Sequence, residues 1–215
     1  MKRSIVSAVA VLGLLIASSS AVEAQLTNFP VYAVPSANGA PSSFLSASFG
    51  RGLNDWSGKQ NAFGLAYGRT GIGDRIGVTI GAAMVNYDPD AKYTFGGNVG
   101  VDMLGADADV QIGVQGGIGY ISLADEVSTL SVPIGVAVKG TEAGDSANFG
   151  WWFMPRLQYT RASVLGFTGS DTDFGASAGG SVSLPSGFGI HAAVDLLAAG
   201  ENVWHGGIGV HYIIG

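Results

Sequence analysis

The chain has 215 residues, no cysteine, 35 glycines, and 16 acidic against 10 basic side chains, for a formal charge of −6. Lack of cysteine excludes disulfide staples, Cys-ligated zinc and thiol catalysis. The acidic balance argues against nucleic acid as a partner, because gripping phosphates takes clustered Lys and Arg, and glycine without a G-X-Y period excludes collagen.

At the N-terminus, Lys2 and Arg3 precede a largely apolar stretch from Ile5 to Ile16, and Val22-Glu23-Ala24 forms an A-x-A-like site before Gln25. This pattern predicts a cleaved secretory signal over residues 1–24. Its removal takes away Lys2, Arg3 and Glu23 and moves the formal charge from −6 to −7. The remaining chain, roughly 190 residues, suits one domain or one small barrel. Beyond the signal no run approaches the roughly 18 consecutive apolar residues of a membrane helix. Residues 25–43 hold Pro30, Pro35, Asn38, Gly39 and Pro41 without periodicity and predict an extended leader.

From Phe44 onward the apolar residues alternate with a period of two, the signature of strands. Phe44 to Gly50 is the first. In the second, Phe63, Leu65 and Tyr67 share one face and Ala62, Gly64, Ala66 and Gly68 the other. The third sets Ile76, Val78, Ile80, Ala82 and Met84 against Gly77, Thr79, Gly81 and Ala83. The fourth sets Phe95, Val99, Val101 and Met103 against Thr94, Gly96, Asn98, Gly100 and Asp102. In the fifth, Val110 to Tyr120 oppose Gln111, Gly113, Gln115, Gly117 and Gly119. The sixth opposes Val132 to Val138 with Gly135, Ala137 and Lys139, and the seventh opposes Trp151, Phe153, Leu157 and Tyr159 with Trp152, Met154, Arg156 and Gln158. The last three place Asp173, Ser177, Ser181 and Ser183, then His191 and Asp195, then His205 and His211, opposite their apolar neighbours.

Ten strands of about ten residues each match the length a tilted strand needs to cross a hydrocarbon layer, and an even number returns both ends to one side. Eight is the alternative count. Connections at Gly71 to Asp74 and Pro185 to Gly187 are short, while 105–109 and 140–148 on the same side are longer. Segments 51–59, 87–93, 122–130, 161–171 and 198–202 are read as outer loops, with Asp88, Asp90, Asp125, Glu126, Asp171 and Glu201 giving them an acidic rim. Pro133 and Pro155 each remove one ladder donor, for which bulges or strand ends are the expected accommodation.

A soluble β protein turns its polar face to water and carries many charged side chains there. Here the non-apolar face is mostly Gly, Ala and Ser with isolated polar groups, a composition that fills a narrow lumen. The apolar face, with Tyr67, Tyr93, Phe95, Tyr120, Trp151, Tyr159, Trp204 and Tyr212, suits lipid and its interfacial aromatic girdles. On this pattern, with the stretch Phe153-Met154-Pro155-Arg156-Leu157-Gln158-Tyr159 and the closing alternation from Trp204 to Ile214, residues 44–215 resemble the small bacterial outer-membrane β-barrels, porin-like and OmpA-type. The resemblance implies an all-β fold, a closed antiparallel up-and-down transmembrane barrel, exported to the outer membrane of a Gram-negative-type bacterium. It implies outer-membrane lipids and the assembly machinery as partners, and a monomer.

Inward parity gives the candidate lumen residues Asp102, Gln111, Gln115, Lys139, Arg156, Gln158, His191, Asp195 and His205. In a barrel of eight to ten strands such side chains can fill the interior, or line a constricted pore in which Arg and Lys oppose Asp. Gly175-Ala176-Ser177-Ala178-Gly179 matches G-x-S-x-G, but a nucleophile elbow needs a sharp strand-to-helix turn, and this segment alternates as a strand. A looser set of Ser181, His191 and Asp195 fails on spacing: His191 and Asp195 stand about 13 Å apart along one strand. A symmetric last hairpin puts Asp195 opposite His205 instead. Gly71-Ile72-Gly73-Asp74-Arg75-Ile76-Gly77 departs from the dinucleotide fingerprint and precedes a strand, and the histidines lack metal spacing on a helix. The expectation is a non-enzyme without cofactor or metal. Its role is structural or surface-interacting, with a lumen plugged by side chains and outer loops that can meet extracellular ligands. A narrow passive pore is the alternative, and a barrel-embedded lipid hydrolase a more distant one.

Overall fold

The computed structural model describes residues 42–54, 61–86, 91–104, 110–124, 127–199 and 201–214. The signal and nearly all of the leader lie outside these, as do Asp88, Asp90, Asp125 and Glu126. The described chain forms ten strands: β1 (Ser42–Gly52), β2 (Asn61–Ile72), β3 (Ile76–Asn86), β4 (Ala91–Asp102), β5 (Val110–Ala124), β6 (Val127–Ala143), β7 (Asn148–Val164), β8 (Phe167–Ser183), β9 (Phe188–Ala199) and β10 (Glu201–Ile214). Each pairs antiparallel with its sequence neighbours, and β1 closes on β10 from Ser43↔Ile214 to Gly52↔His205. The result is a closed up-and-down barrel of ten strands, not eight. Its proximal rim holds Ser42 and Ile214; its distal rim is the opposite end.

The alternation sets which side chains face where. Phe63, Ile80, Val136 and Leu157, from four strands, are 48%, 65%, 44% and 54% exposed. They share no dry centre, so the bulky apolar face is the outside of the barrel. Aromatics mark two levels on that surface: Phe63, Tyr93, Tyr120, Tyr159 and Trp204 toward the distal rim, and Tyr67, Trp151, Phe188 and Tyr212 toward the proximal one.

The strands run further than their apolar residues. The expected outer loop 161–171 is mostly strand, because β7 and β8 stay paired up to Val164↔Phe167 around a two-residue turn, Leu165-Gly166. Likewise β5 and β6 reach Ala124 and Val127, and β4 begins at Ala91. At the proximal rim, β6 and β7 pair to Ala143↔Asn148, leaving four linking residues where a longer connection was expected. In β8 Thr168, Ser170 and Thr172 continue the ladder after the apolar series stops, since strand pairing needs backbone groups, not hydrocarbon.

The prolines are accommodated without bulges. Around Pro133 the β5·β6 pairing passes from Gly116↔Ile134 to Gly119↔Ser131, and around Pro155 the β6·β7 pairing passes from Gly135↔Arg156 to Val138↔Phe153, each in unchanged register. A lost donor interrupts the ladder locally and slips nothing. Register shifts occur elsewhere, between Arg69 and Ile72 and between Ser122 and Ala124.

Candidate functional site: the lumen

The inward face is built from large side chains laid over glycines. A Cβ at Gly175 would stand 2.9 Å from Arg156 Cζ, and one at Gly113 would stand 2.9 Å from Asp102 Oδ1. Cβ atoms at Gly68, Gly117, Gly179, Gly189 and Gly209 would collide with Phe44, Asn98, Trp152, His211 and His191. Each pair is a cross-strand partnership. Missing side chains on one strand thus let the neighbour's side chain lie flat and reach the strand beyond, which accounts for much of the glycine content.

Arg156 uses this opening most fully. It is 2% exposed, crosses Gly175 from β7, and meets Asp195 on β9 in a fork, Nη1 to Oδ1 at 2.8 Å and Nη2 to Oδ2 at 2.9 Å. Its Nε and Nη2 also donate to Gln158 Oε1 at 3.3 and 3.4 Å. A bidentate, doubly ionised pair is among the strongest hydrogen-bonded arrangements available. Burial makes each partner depend on the other, since an orphaned charge in this interior is expensive. Ser177 and His205 stand opposite Asp195 on the flanking strands, as expected from hairpin symmetry. The expected Asp195–His205 contact does not form, and both Asp195 oxygens accept from Arg156. Among the described residues both ring nitrogens of buried His205, with Ser177 Oγ and Gln158 Nε2, find no hydrogen-bond partner.

Nearer the proximal rim, His191 reaches over Gly209 to Ser48 on β1, Nε2 to Oγ at 3.0 Å, and His211 reaches over Gly189 to Ser183 on β8, Nε2 to Oγ at 2.9 Å. Between them Nδ1 meets Nδ1 at 3.2 Å, with ring centroids 5.5 Å apart and planes 20° apart. The centroid separation exceeds the nitrogen separation by about two ring radii, so the contact is head-on. One nitrogen must donate and the other accept, which makes Ser48-His191-His211-Ser183 one directional chain around a single shared proton. Sequence reasoning placed His211 inward yet missed its role. A histidine two residues past Gly209, itself opposite another histidine, was the available signal.

Lys139 pairs with Asp102 at 2.9 Å, and Gln111 stands opposite Lys139 in register. Gln115 is buried opposite Gly100 and Gly135. With Thr70, Trp152, Met154 and Ser177, the Lys139–Asp102 pair lines a cavity of about 50 Å³, room for one or two waters.

The distal end of the lumen holds apolar clusters beside the buried hydroxyls of Thr94 and Thr129, which the sequence reading did not anticipate. Ala62, Val85 and Ile121 form a buried cluster with Val127 against it, and Leu197 and Val203 form another. All lie on the inward parity of their strands near the distal rim. Thus the interior runs from a His/Ser chain through a charged bridge to an apolar cap.

The serines weighed for hydrolysis join no triad among the described residues. Gly175 to Gly179 lies inside β8 with Ser177 buried, and Ser181, although opposite His191, makes no bond with it. Among the described residues no group of three or more His, Asp or Glu could hold a metal ion, and no helix is long and apolar enough to cross a membrane.

No protein-family model and no curated protein matches the chain. Solved structures similar to it include the N-terminal β-barrel domain of Pseudomonas aeruginosa OprF, at 11% identity over 80% of this chain and 97% of that one, with a TM-score of 0.40. The attachment invasion locus protein Ail of Yersinia pestis aligns at 11% identity over 81% and 98%, with a TM-score of 0.36. The outer membrane protease OmpT of Escherichia coli aligns at 8% identity over 81% and 95%, with a TM-score of 0.43. At these scores the likenesses carry nothing about activity, and the chain's own geometry has to supply the reading.

Proposed function

We propose that the chain is an integral outer-membrane β-barrel with a structural or surface-interaction role and a closed lumen. One observation carries this reading: a barrel whose sheet closes on itself turns its bulky apolar side chains outward between two aromatic levels and holds the Arg156–Asp195 and Lys139–Asp102 pairs on its inner face. Lipid offers no partner to an unpaired N–H or C=O, so closure is what a spanning sheet requires. An apolar exterior of this extent is unsuited to water. Export through a signal over residues 1–24, delivery by the outer-membrane assembly machinery and a monomeric state complete the proposal.

The closed interior favours the scaffold over the passive pore. Arg156 and Asp195 join β7 to β9 along its wall over Gly175, and apolar clusters occupy its distal part. Heat-modifiable gel migration of the detergent-refolded chain, residues 25–215, tests the membrane reading. A barrel resists SDS until boiled, so boiled and unboiled samples should migrate differently. A single unchanged band, together with release into the aqueous fraction without detergent, would sink the proposal.

A further inference from the structure

The barrel wall is not level at its distal rim. Strands β5 to β8 have 15 to 17 residues, against 11 or 12 for β1 to β4 and β9. The last β8·β9 partners toward that rim are Phe174↔Ala198, while β8 continues to Phe167 still paired with β7. Among the described residues nothing pairs with Phe167–Asp173 on the side away from β7. That leaves about 20 Å of open strand edge, standing beyond Tyr159 and Phe174, where the outward apolar alternation of this wall ends, and tipped by exposed Leu165 and Phe167. Its outward side chains Thr168, Ser170 and Thr172 are exposed and polar, so this part of the sheet stands in water.

An open edge is a template for another strand, which proteins commonly block with charge. Here the block is specific. Thr172 donates its N–H to the carboxylate of Asp171, Oδ1 at 2.7 Å. The other face of the edge carries Asp171 and Asp173 two residues apart, and Asp173 Oδ2, a buried atom, has no hydrogen-bond partner among the described residues. Arg161, the nearest basic residue on β7, stands opposite Ser170 on the opposite face. Two adjacent carboxylates on one face of an unpaired strand call for cations at alternate positions of whatever lies beside it.

We propose that Phe167–Asp173 is a docking edge for an extended, basic polypeptide segment of another protein. Such a segment adds a strand to β8, and its Lys or Arg side chains, two residues apart, pair with Asp171 and Asp173. Capture of the Asp171 carboxylate by a cation releases the Thr172 N–H to the new ladder, so charge recognition and strand addition are coupled. Main-chain bonds then provide affinity and the alternate side chains provide selectivity. The inference deepens the surface-interaction role and rests on that reading.

The test uses the full chain of residues 25–215 refolded in zwitterionic detergent and a fluorescent peptide of about ten alternating Lys and Val residues. Anisotropy should show saturable binding, and hydrogen exchange should show protection of Thr168–Asp173 amides. The same peptide with Pro for Val, unable to form a ladder, should bind about tenfold more weakly or worse. Thr172→Pro and Asp171→Asn, each checked for heat-modifiable migration, should weaken the Lys/Val peptide by a similar factor. Equal binding of the Pro peptide, indifference to Thr172→Pro, or no binding overturns the docking edge while leaving the barrel intact. Self-association of the chain through β8 overturns it as well, by making a second copy the occupant. Loss of heat modification in the unsubstituted chain would instead strike the membrane reading.

Discussion

At the scale of single residues, the lumen works by trading side chain for space. Arg156 reaches Asp195 because Gly175 lies between them, and His191 reaches Ser48 because Gly209 does. Two predictions belong here. Asp195→Ala leaves a guanidinium buried without its partner and should cost about 3–5 kcal/mol, whereas Arg156→Met with Asp195→Leu should be near neutral. Denaturant unfolding in lipid vesicles, comparing the single and double variants, checks this; equal losses would mean that the bridge is not the source of the penalty. Gly209→Ala would put a Cβ onto His191 Nε2 and 2.5 Å from Ala47 O. It should break the Ser48 bond and destabilise the barrel by about 1–3 kcal/mol, read in the same assay. Parity could be read from the sequence, because a period of two assigns faces without knowledge of the fold; Gln115, Arg156, Gln158, His191, Asp195 and His205 are buried and Asp102, Gln111 and Lys139 half-buried. Partnership was not legible. Arg156–Asp195 and His191–His211 are contacts over intervening glycines, and which strand lies beyond a glycine depends on register.

At the scale of elements, ten strands and the antiparallel order follow from alternation broken by turn residues, and the sequence shows both. Strand ends were misplaced because the apolar signal stops where the lipid-facing belt stops. In β8 the series ends at Phe174, yet Thr168, Ser170 and Thr172 carry the strand onward with good β-formers. The turn that ends this hairpin has positive φ at both central residues, 49° at Leu165 and 82° at Gly166. Tight antiparallel hairpins favour this combination, with Asn-Gly the preferred pair. A leucine there is held in the left-handed region, which costs about 1–2 kcal/mol. Leu165→Asn should therefore stabilise the hairpin by about 1 kcal/mol, seen as slower hydrogen exchange at the β7·β8 amides near the tip. Faster exchange would show that Leu165 is held by contacts worth more than its backbone strain.

At the scale of the whole molecule, the question is whether ten strands enclose a passage. An interior of this size is narrow enough for side chains to fill, and three layers fill it differently. Toward the proximal end lie the His/Ser chain and a cavity of about 50 Å³ beside Lys139 and Asp102, at mid-height the Arg156–Asp195 bridge lies along the inner wall from β7 to β9, and apolar clusters at Ala62, Val85, Ile121, Leu197 and Val203 sit on the inner face toward the distal end. An ion crossing this path meets a fixed, already neutralised pair and then buried aliphatic clusters that offer nothing to replace its hydration shell, a barrier of the kind that gates by dewetting. The refolded chain should therefore be silent in a planar bilayer. Arg156→Ala should also stay silent, because removing the bridge leaves the apolar clusters in place. Val85→Ser with Ile121→Ser and Val203→Ser, added to Arg156→Ala, should open discrete conductance. Openings in the unsubstituted chain whose ion preference changes with Arg156→Ala would make the charged bridge a selectivity constriction and the barrel a pore.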